Sequence, residues 1–240
     1  MRIFITAGNT QTPVDRVRCI TNIFTGRTGA RIAAEAYRRG HRVTLATSHP
    51  ETVDLADADP SRWRVIPYRT FDDLENLMAS RIPNGEVDAI VHCAAVGDYH
   101  VAGVFAPAPT TRFDADGAWR DDAQTPRLID RMAGKVSSDE PELWLRLTRA
   151  PKLVDRIRSD WGFRGILVKF KLEVGMDQDA LQGIAERSRA HSQADWMVAN
   201  TLEGAGAWAI VGNADGYARV RRDDLASSLL DRIEGGSRHG

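Results

Sequence analysis

The sequence predicts an α/β protein built on a doubly wound, mostly parallel sheet. Short apolar runs alternate with segments of helical periodicity along most of the 240 residues. The first run, Arg2–Ala7, precedes a helical pattern that stops at Gly40, and a second run follows at Arg42–Thr47. Two strands connected through a helix run parallel with a right-handed crossover, so the chain opens with a β-α-β unit.

The later segments continue this alternation and predict the remaining strands and helices. We predict further strands at Arg64–Pro67, Val87–Ala94, Glu142–Leu147, Ile166–Leu172 and Trp196–Asn200. We predict helices at Phe71–Ser80, Pro151–Asp160, Asp177–Ser192 and Asp223–Ile233. Two runs that flank turn residues predict an antiparallel hairpin at the sheet edge, Ala207–Val211 and Tyr217–Arg221.

We expect a single α/β domain over residues 1–240. Between about 102 and 125 the periodicity fails, and prolines, glycines and aspartates predict a loop that serves as a mobile flap. Residues 235–240, GGSRHG, predict a frayed tail.

Composition excludes several classes of function. The formal net charge is −1, which gives no field that favours nucleic acid or an anionic membrane. No run approaches the roughly 18 apolar residues of a membrane span, and the N-terminus lacks a signal-peptide pattern. The two cysteines, Cys19 and Cys93, have neither disulfide-framework nor metal-ligand spacing, so we expect no metal site and a cytoplasmic protein.

The lysines are few and confined to one stretch. Of 32 basic residues only four are lysines, namely Lys135, Lys152, Lys169 and Lys171. An ammonium on a flexible stem suits contact with mobile phosphates, and we take this stretch as a pointer to an anion site.

The glycine pattern alone does not define a nucleotide site. The helix start at Thr28-Gly29 offers free N–H groups to a phosphate, but a need for close helix–strand packing explains Gly26 and Gly29 equally well. An NAD(P)-dependent dehydrogenase is the less favoured alternative. It requires an acidic residue after the second strand, where the chain has Ala46-Thr47-Ser48-His49.

Longer motifs resemble those of the phosphopantothenate–cysteine ligase family, in its stand-alone form. The residues that carry this resemblance are ITAGNTQTPVDRVRCITNIFTGRTGARIA, VHCAAVGDY, GKVSS, RAPKLVDRI, FKLEV and ADWMVAN, in this order. The resemblance implies a Rossmann-like fold, a homodimer formed through the later strands, and a place in coenzyme A biosynthesis. It implies that 4′-phosphopantothenate is activated with CTP or ATP, with Mg²⁺ on the triphosphate, and that cysteine attacks the acyl-nucleotide.

The resemblance also assigns roles to individual residues. Asn22 and Lys135 match catalytic positions: the Asn22 amide would hold the acyl-nucleotide, and Lys135 would reach the triphosphate. Arg18, Ala94 and Ala95 match substrate-binding positions. The residues that match nucleotide-binding positions are Gly8, Asn9, Asp98, Phe170, Lys152 and Arg187.

Structural roles compete with several of these assignments. A turn contact is the alternative for Asn22, a surface ion pair for Arg18, a cap for Asp98 and a place in the core for Phe170.

The chain departs from the family pattern mainly on the nucleotide side. Asn9 replaces a glycine, and we expect it to keep the left-handed turn. Lys169 replaces the glycine beside the base and would place a charged side chain there. The other departures are Thr12, Thr201, and Arg187 with His191 in place of two lysines. Two interpretations stay open: a working ligase with altered nucleotide preference, or a member that binds nucleotide or a pantothenate-like anion without this chemistry.

Overall fold

The computed structural model describes residues 1–53, 55, 57–122 and 125–236. These residues form fifteen strands and five α-helices. The strands are β1 Arg2–Ala7, β2 Gln11–Pro13, β3 Cys19–Thr21, β4 Arg42–Thr47, β5 Trp63–Pro67, β6 Ala89–His92, β7 Tyr99–Pro107, β8 Thr111–Phe113, β9 Trp119–Asp121, β10 Leu128–Asp130, β11 Trp144–Arg149, β12 Ile166–Glu173, β13 Trp196–Thr201, β14 Trp208–Asn213 and β15 Gly216–Arg221. The helices are α1 Arg27–Arg38, α2 Phe71–Arg81, α3 Leu153–Ser159, α4 Gln178–His191 and α5 Leu225–Gly236.

The chain divides into two compact units where the sequence predicted one domain. The first unit comprises Met1–Thr10, Asn22–Val96 and Lys152–Gly240, and the second comprises Gln11–Thr21 and Gly97–Pro151. The second unit is formed from two separate stretches of chain, and local periodicity gives no sign of such a division.

The first unit contains an eight-stranded sheet in the order β15-β14-β13-β12-β6-β1-β4-β5. The six strands from β13 to β5 pair in parallel, whereas β14 and β15 pair antiparallel. The predicted doubly wound, mostly parallel sheet with an antiparallel edge hairpin is therefore confirmed.

Helices cover both faces of this sheet because successive strand residues point to opposite sides. In β13, Val198 belongs to a core cluster with residues of α1 and α5. Its neighbours Met197 and Ala199 belong to a separate cluster with Leu181 and Ala185 of α4. Neighbouring residues on one strand thus face different helical layers. Whether a side chain of a central strand can reach a given layer therefore depends on this alternation.

The irregular loop predicted over residues 102–125 is wrong for the part up to residue 122, which contains regular strands, while its role as a mobile flap stays a prediction. β7 occupies Tyr99–Pro107 at the centre of a three-stranded sheet in the order β10-β7-β11, and β8 pairs with β9. β7 pairs with β11, about forty residues further along the chain, so local composition gives no sign of it. Residues 123 and 124 of the predicted flap lie outside the described residues.

The predicted tail also begins too early. Helix α5 continues through Gly235 and Gly236, and the remaining predicted tail residues lie outside the described part of the chain. Among the described residues, no helix combines the length and the apolar content that crossing a membrane requires.

Candidate functional site

The site begins where α1 starts directly over the end of β1. Gly8 and Gly26 both have left-handed backbones, with φ of 89° and 78°. A Cβ on Gly26 would collide with the backbone of Gly8, and a Cβ on Gly29 would lie 2.6 Å from the Cβ of Ala7. Packing alone therefore requires glycine at Gly26 and Gly29.

Asn9 does not adopt the left-handed backbone that we expected. Gly8 supplies the positive φ of this turn, so Asn9 needs none.

Asn9 instead uses its side chain to tie three segments together. Its amide Nδ2 donates to the carbonyl oxygen of Asn22 at 2.6 Å, and its Oδ1 accepts from Ser48 Oγ at 3.0 Å. The Asn22 amide Nδ2 in turn donates to the carbonyl oxygen of Ala95 at 3.0 Å. The backbone N–H of Ala95 donates to Gly8 at 2.7 Å. We call these residues, Gly8, Asn9, Asn22, Ser48 and Ala95, the asparagine bridge.

The asparagine bridge borders a cavity of about 290 Å³ at the carboxyl ends of the central strands. Four residues assigned from the sequence line it, namely Gly8, Ala94, Ala95 and Phe170. The other lining residues are Phe24, Thr25, Gly26, Arg27, Thr28, Cys93, Lys171, Leu172, Val198, Asn200, Ala205 and Arg222. We call this space the carboxyl-end cavity.

Its walls favour an anion. Helix α1 begins at the cavity with no side-chain cap and no acidic residue in its first turn, so its N-terminal N–H groups and dipole face a potential ligand. The lining contains no carboxylate among the described residues. Burial raises the pKa of the Cys93 thiol to about 12, so this side chain is a neutral part of the wall at pH 7 and no thiolate nucleophile.

Arg222 is a charged residue of this cavity that the sequence analysis did not identify. Its guanidinium is half-buried and donates to Thr28 Oγ1. Burial lowers the pKa of Arg222, although it stays charged, and no carboxylate of the described chain lies within ion-pair distance. It follows β15 directly, and no local motif distinguishes it from Arg221 beside it. Only the return of the hairpin to α1 brings it to the cavity.

Lys169 does not fill the space beside the base as the sequence led us to expect. Phe170 packs with the α1 and α5 cluster, so Lys169 projects to the opposite face of β12. Its Nζ donates to the carbonyl of Ser188 at 3.0 Å and to Ser192 Oγ at 2.5 Å, and lies 4.0 Å from Asp155. Burial lowers its pKa to about 8.

Arg187 and Lys152, which the resemblance assigns to nucleotide binding, do not line this cavity. Arg187 is exposed on α4, which packs against the face opposite α1 and α5. Lys152 is the exposed N-cap residue of α3, and neither side chain lines the cavity. Thr201 is buried and accepts from the N–H of Gly204, whereas His191 is exposed beside Asp155.

Arg18 and Lys135 lie in the second unit, where Asp15 connects their segments. The Arg18 guanidinium contacts Asp15 Oδ2 at 2.6 Å and donates to the carbonyl of Val136 at 2.5 Å. Asp15 also accepts from the N–H of Val136 at 3.1 Å, and these contacts hold the pKa of its carboxyl far below the usual range. Lys135 is exposed and directly precedes Val136, whose backbone these contacts hold in place. Asp98, also in this unit, accepts from the N–H of Ala150 through its backbone carbonyl.

Known proteins with the same architecture match this chain. Residues 1–107 match the family described as DNA/pantothenate metabolism flavoprotein C-terminal domain. The matched region includes the whole asparagine bridge, and it confirms the family resemblance found in the motifs.

Relatives of this family extend the match to the rest of the chain. The coenzyme A biosynthesis bifunctional protein CoaBC of Thermococcus kodakarensis is 28% identical over 97% of this chain and 51% of its own length. The CoaBC protein of Escherichia coli K12 is 26% identical over 84% of this chain and 41% of its own length. The chain therefore spans about half the length, or less, of these curated relatives.

Solved structures agree with the fold of this family. The DNA/pantothenate metabolism flavoprotein from Streptococcus pneumoniae superposes with a TM-score of 0.78 at 25% identity, and the match covers 98% of this chain and 99% of that one. A Cab2 mutant in complex with phosphopantothenate-cysteine superposes with a TM-score of 0.68 at 15% identity, covering 99% of this chain and 88% of that one. At this second level of identity the likeness concerns the fold alone.

We predict that Asn9→Ala lowers the free energy of unfolding by about 1–2 kcal/mol, because it removes the side-chain hydrogen bonds to Asn22 and Ser48. Denaturant unfolding followed by circular dichroism measures this change. Asn84→Ala is the control, since the Asn84 amide makes a local hydrogen bond to Ser80 at an exposed helix end. Equal losses in the two variants would show that the asparagine bridge contributes no special stability.

We predict that Lys169 makes stability rise with pH between about 8 and 10.5. Its pKa is about 8 in the folded protein against an ordinary 10.5, so in this window the unfolded chain binds more protons than the folded one. Across this window the unfolding free energy of the wild type should rise by up to about 3 kcal/mol relative to that of Lys169→Met. Lys171→Met, which removes a partly exposed ammonium paired with Glu173, should show no such growth. A pH-independent difference for Lys169→Met would contradict the assignment.

Proposed function

We propose that this chain joins 4′-phosphopantothenate to cysteine through an acyl-nucleotide intermediate, using CTP or ATP. The observation that carries the proposal is the asparagine bridge, which holds the Asn22 amide 3.0 Å from the Ala95 carbonyl at the border of the carboxyl-end cavity. The match of residues 1–107 to the family model, and the similarity to relatives named for coenzyme A biosynthesis, support it. The Cab2 complex contains phosphopantothenate-cysteine, the product of this reaction.

In the first step a carboxylate oxygen of phosphopantothenate attacks the α-phosphorus of the nucleotide. The bond between the α-phosphorus and the bridging oxygen breaks, and pyrophosphate leaves with that electron pair. The two reactants are both anions, so the site must offset their repulsion. Arg222 and the open N-terminus of α1 would supply positive charge and N–H donors to the phosphates.

In the second step the amine of cysteine attacks the acyl carbon. An amide bond forms, the nucleoside monophosphate leaves, and the amine loses a proton to solvent. The backbone of Ala94 and Ala95, which line the cavity, and the Asn22 amide, which donates to the Ala95 carbonyl, would contact the acyl-nucleotide. The Phe170 ring in its wall offers an apolar surface to the base.

The protein offers no cage of its own for Mg²⁺ in the part of the chain that the structure describes. The cavity lining has no carboxylate there, and no three His, Cys, Asp or Glu side chains form a metal-binding group. We therefore propose Mg²⁺ only as the ion that enters on the triphosphate of the nucleotide, as is usual for this cation.

We predict that pyrophosphate release requires phosphopantothenate together with CTP or ATP, and that Asn22→Asp lowers turnover at least about 100-fold or leaves the acyl-nucleotide to accumulate. The carboxylate has the same shape but cannot donate to Ala95, and it repels the anionic intermediate. Pyrophosphate release and mass spectrometry of the quenched reaction measure both outcomes.

Asn84→Asp is the matched control for this variant and should retain wild-type rates, because Asn84 lies at an exposed turn after α2. Wild-type rates in Asn22→Asp would remove Asn22 from the mechanism. Nucleotide binding by the wild type without pyrophosphate release, with phosphopantothenate and cysteine present, would replace the ligase with the binding-only interpretation.

We predict that Arg222→Gln raises the Kd for nucleotide about 10- to 100-fold, because it removes the half-buried guanidinium from the cavity wall. Isothermal titration calorimetry with CTP and ATP measures the effect. Arg221→Gln changes an exposed neighbour of the same type and should bind as the wild type does. If the two variants lose affinity equally, Arg222 has no direct part in the site.

A further inference from the structure

A second cavity lies at the opposite end of the eight-stranded sheet, at the amino ends of β1, β4 and β5. It has a volume of about 370 Å³ and shares no lining residue with the carboxyl-end cavity. Five of its lining residues are arginines, whereas Glu86 is the only acidic residue that lines it. The arginines are Arg2, Arg42, Arg62, Arg64 and Arg81, and we call this space the arginine cavity.

Strand register explains why the arginines converge. Arg2 and Arg42 are the first residues of β1 and β4 and pair with each other in parallel register. Arg64 of β5 pairs with Thr44, two residues beyond Arg42, so its side chain lies on the same face of the sheet. Arg62 lies in the turn directly before β5, with its guanidinium 4.7 Å from the ring centroid of Tyr37, and Arg81 is the last residue of α2.

The carboxylates near this cavity do not balance its charge. Asp88 contacts Arg2 at 2.6 Å, and Asp59 lies 3.5 Å from Arg62. In the part of the chain that the structure describes, Arg42, Arg64 and Arg81 have no carboxylate within 4.0 Å. The positive charge is therefore local, in a chain whose formal net charge is −1. Three guanidinium groups without carboxylate partners around one concave space favour an anionic ligand, since each can donate in a bidentate fork.

We infer that the arginine cavity binds a small ligand with two or more linked phosphate groups. A chain of phosphates matches several guanidinium groups at once, which a single carboxylate cannot do. A nucleic acid fits less well because the charge is confined to one cavity and the chain as a whole is slightly acidic. This inference is independent of the proposed ligase reaction, since it concerns other residues at the other end of the sheet.

The test uses inorganic tripolyphosphate and ¹⁵N-labelled protein. We expect chemical-shift changes in the amide and Nε–Hε resonances of Arg42 and Arg64 as tripolyphosphate is added. The double variant Arg42→Gln/Arg64→Gln should raise the Kd of this event at least 10-fold. The double variant Arg146→Gln/Arg149→Gln removes two exposed arginines of β11 and should leave it unchanged.

The carboxyl-end cavity also attracts phosphates, so the titration is repeated in Arg222→Gln protein. The shifts at Arg42 and Arg64 should persist there with the same Kd. Circular dichroism of each variant confirms that it is folded before its Kd is compared. Three results would each overturn the proposal. They are shifts confined to residues of the carboxyl-end cavity, an unchanged Kd in Arg42→Gln/Arg64→Gln, and no binding at about 10 mM tripolyphosphate, roughly the weakest affinity of interest.

Discussion

The carboxyl-end cavity depends on one close approach, that of the Gly26 backbone to the backbone of Gly8. Neither position has room for a side chain, so α1 begins directly over the end of β1. This approach leaves the helix N-terminus uncapped and open to a ligand. The asparagine bridge then holds the loop before α1 through Asn9 and Asn22 rather than through further glycines. Asn9 contributes two side-chain hydrogen bonds at a position where the family resemblance implies a glycine.

Alternation along β12 lets a large charged side chain stand beside the site without entering it. Phe170 faces the α1 and α5 layer, whereas Lys169 faces α3 and α4. The buried ammonium is satisfied by Ser188 and Ser192 and lies near Asp155, since an unpartnered charge there would be costly. A substitution that looks obstructive on the strand is therefore accommodated by the opposite layer.

Charge is distributed unevenly in this chain, and both ends of the eight-stranded sheet carry unpaired arginines. At the carboxyl ends of the strands Arg222 adds to the field of the α1 N-terminus. At the amino ends the arginines lie where no ligand site of a parallel sheet is expected. The near-neutral net charge of the chain does not reveal these two local concentrations of positive charge. Net charge averages over the whole surface, whereas local fields act within roughly 10 Å in salt solution.

Local pattern by itself determined the order of strands and helices in the first unit, the edge hairpin, and the residues of the asparagine bridge that carry the family motif. Only the tertiary structure decided that Tyr99–Pro107 is a strand, that Lys169 turns away from the cavity, that Arg187 lies on the opposite face, and that Arg222 reaches the site. The physical reason is range. Periodicity reports contacts between residues two to four positions apart. By contrast, β7 pairs with β11 across about 40 to 50 positions, and Arg222 reaches Thr28 across 194 positions.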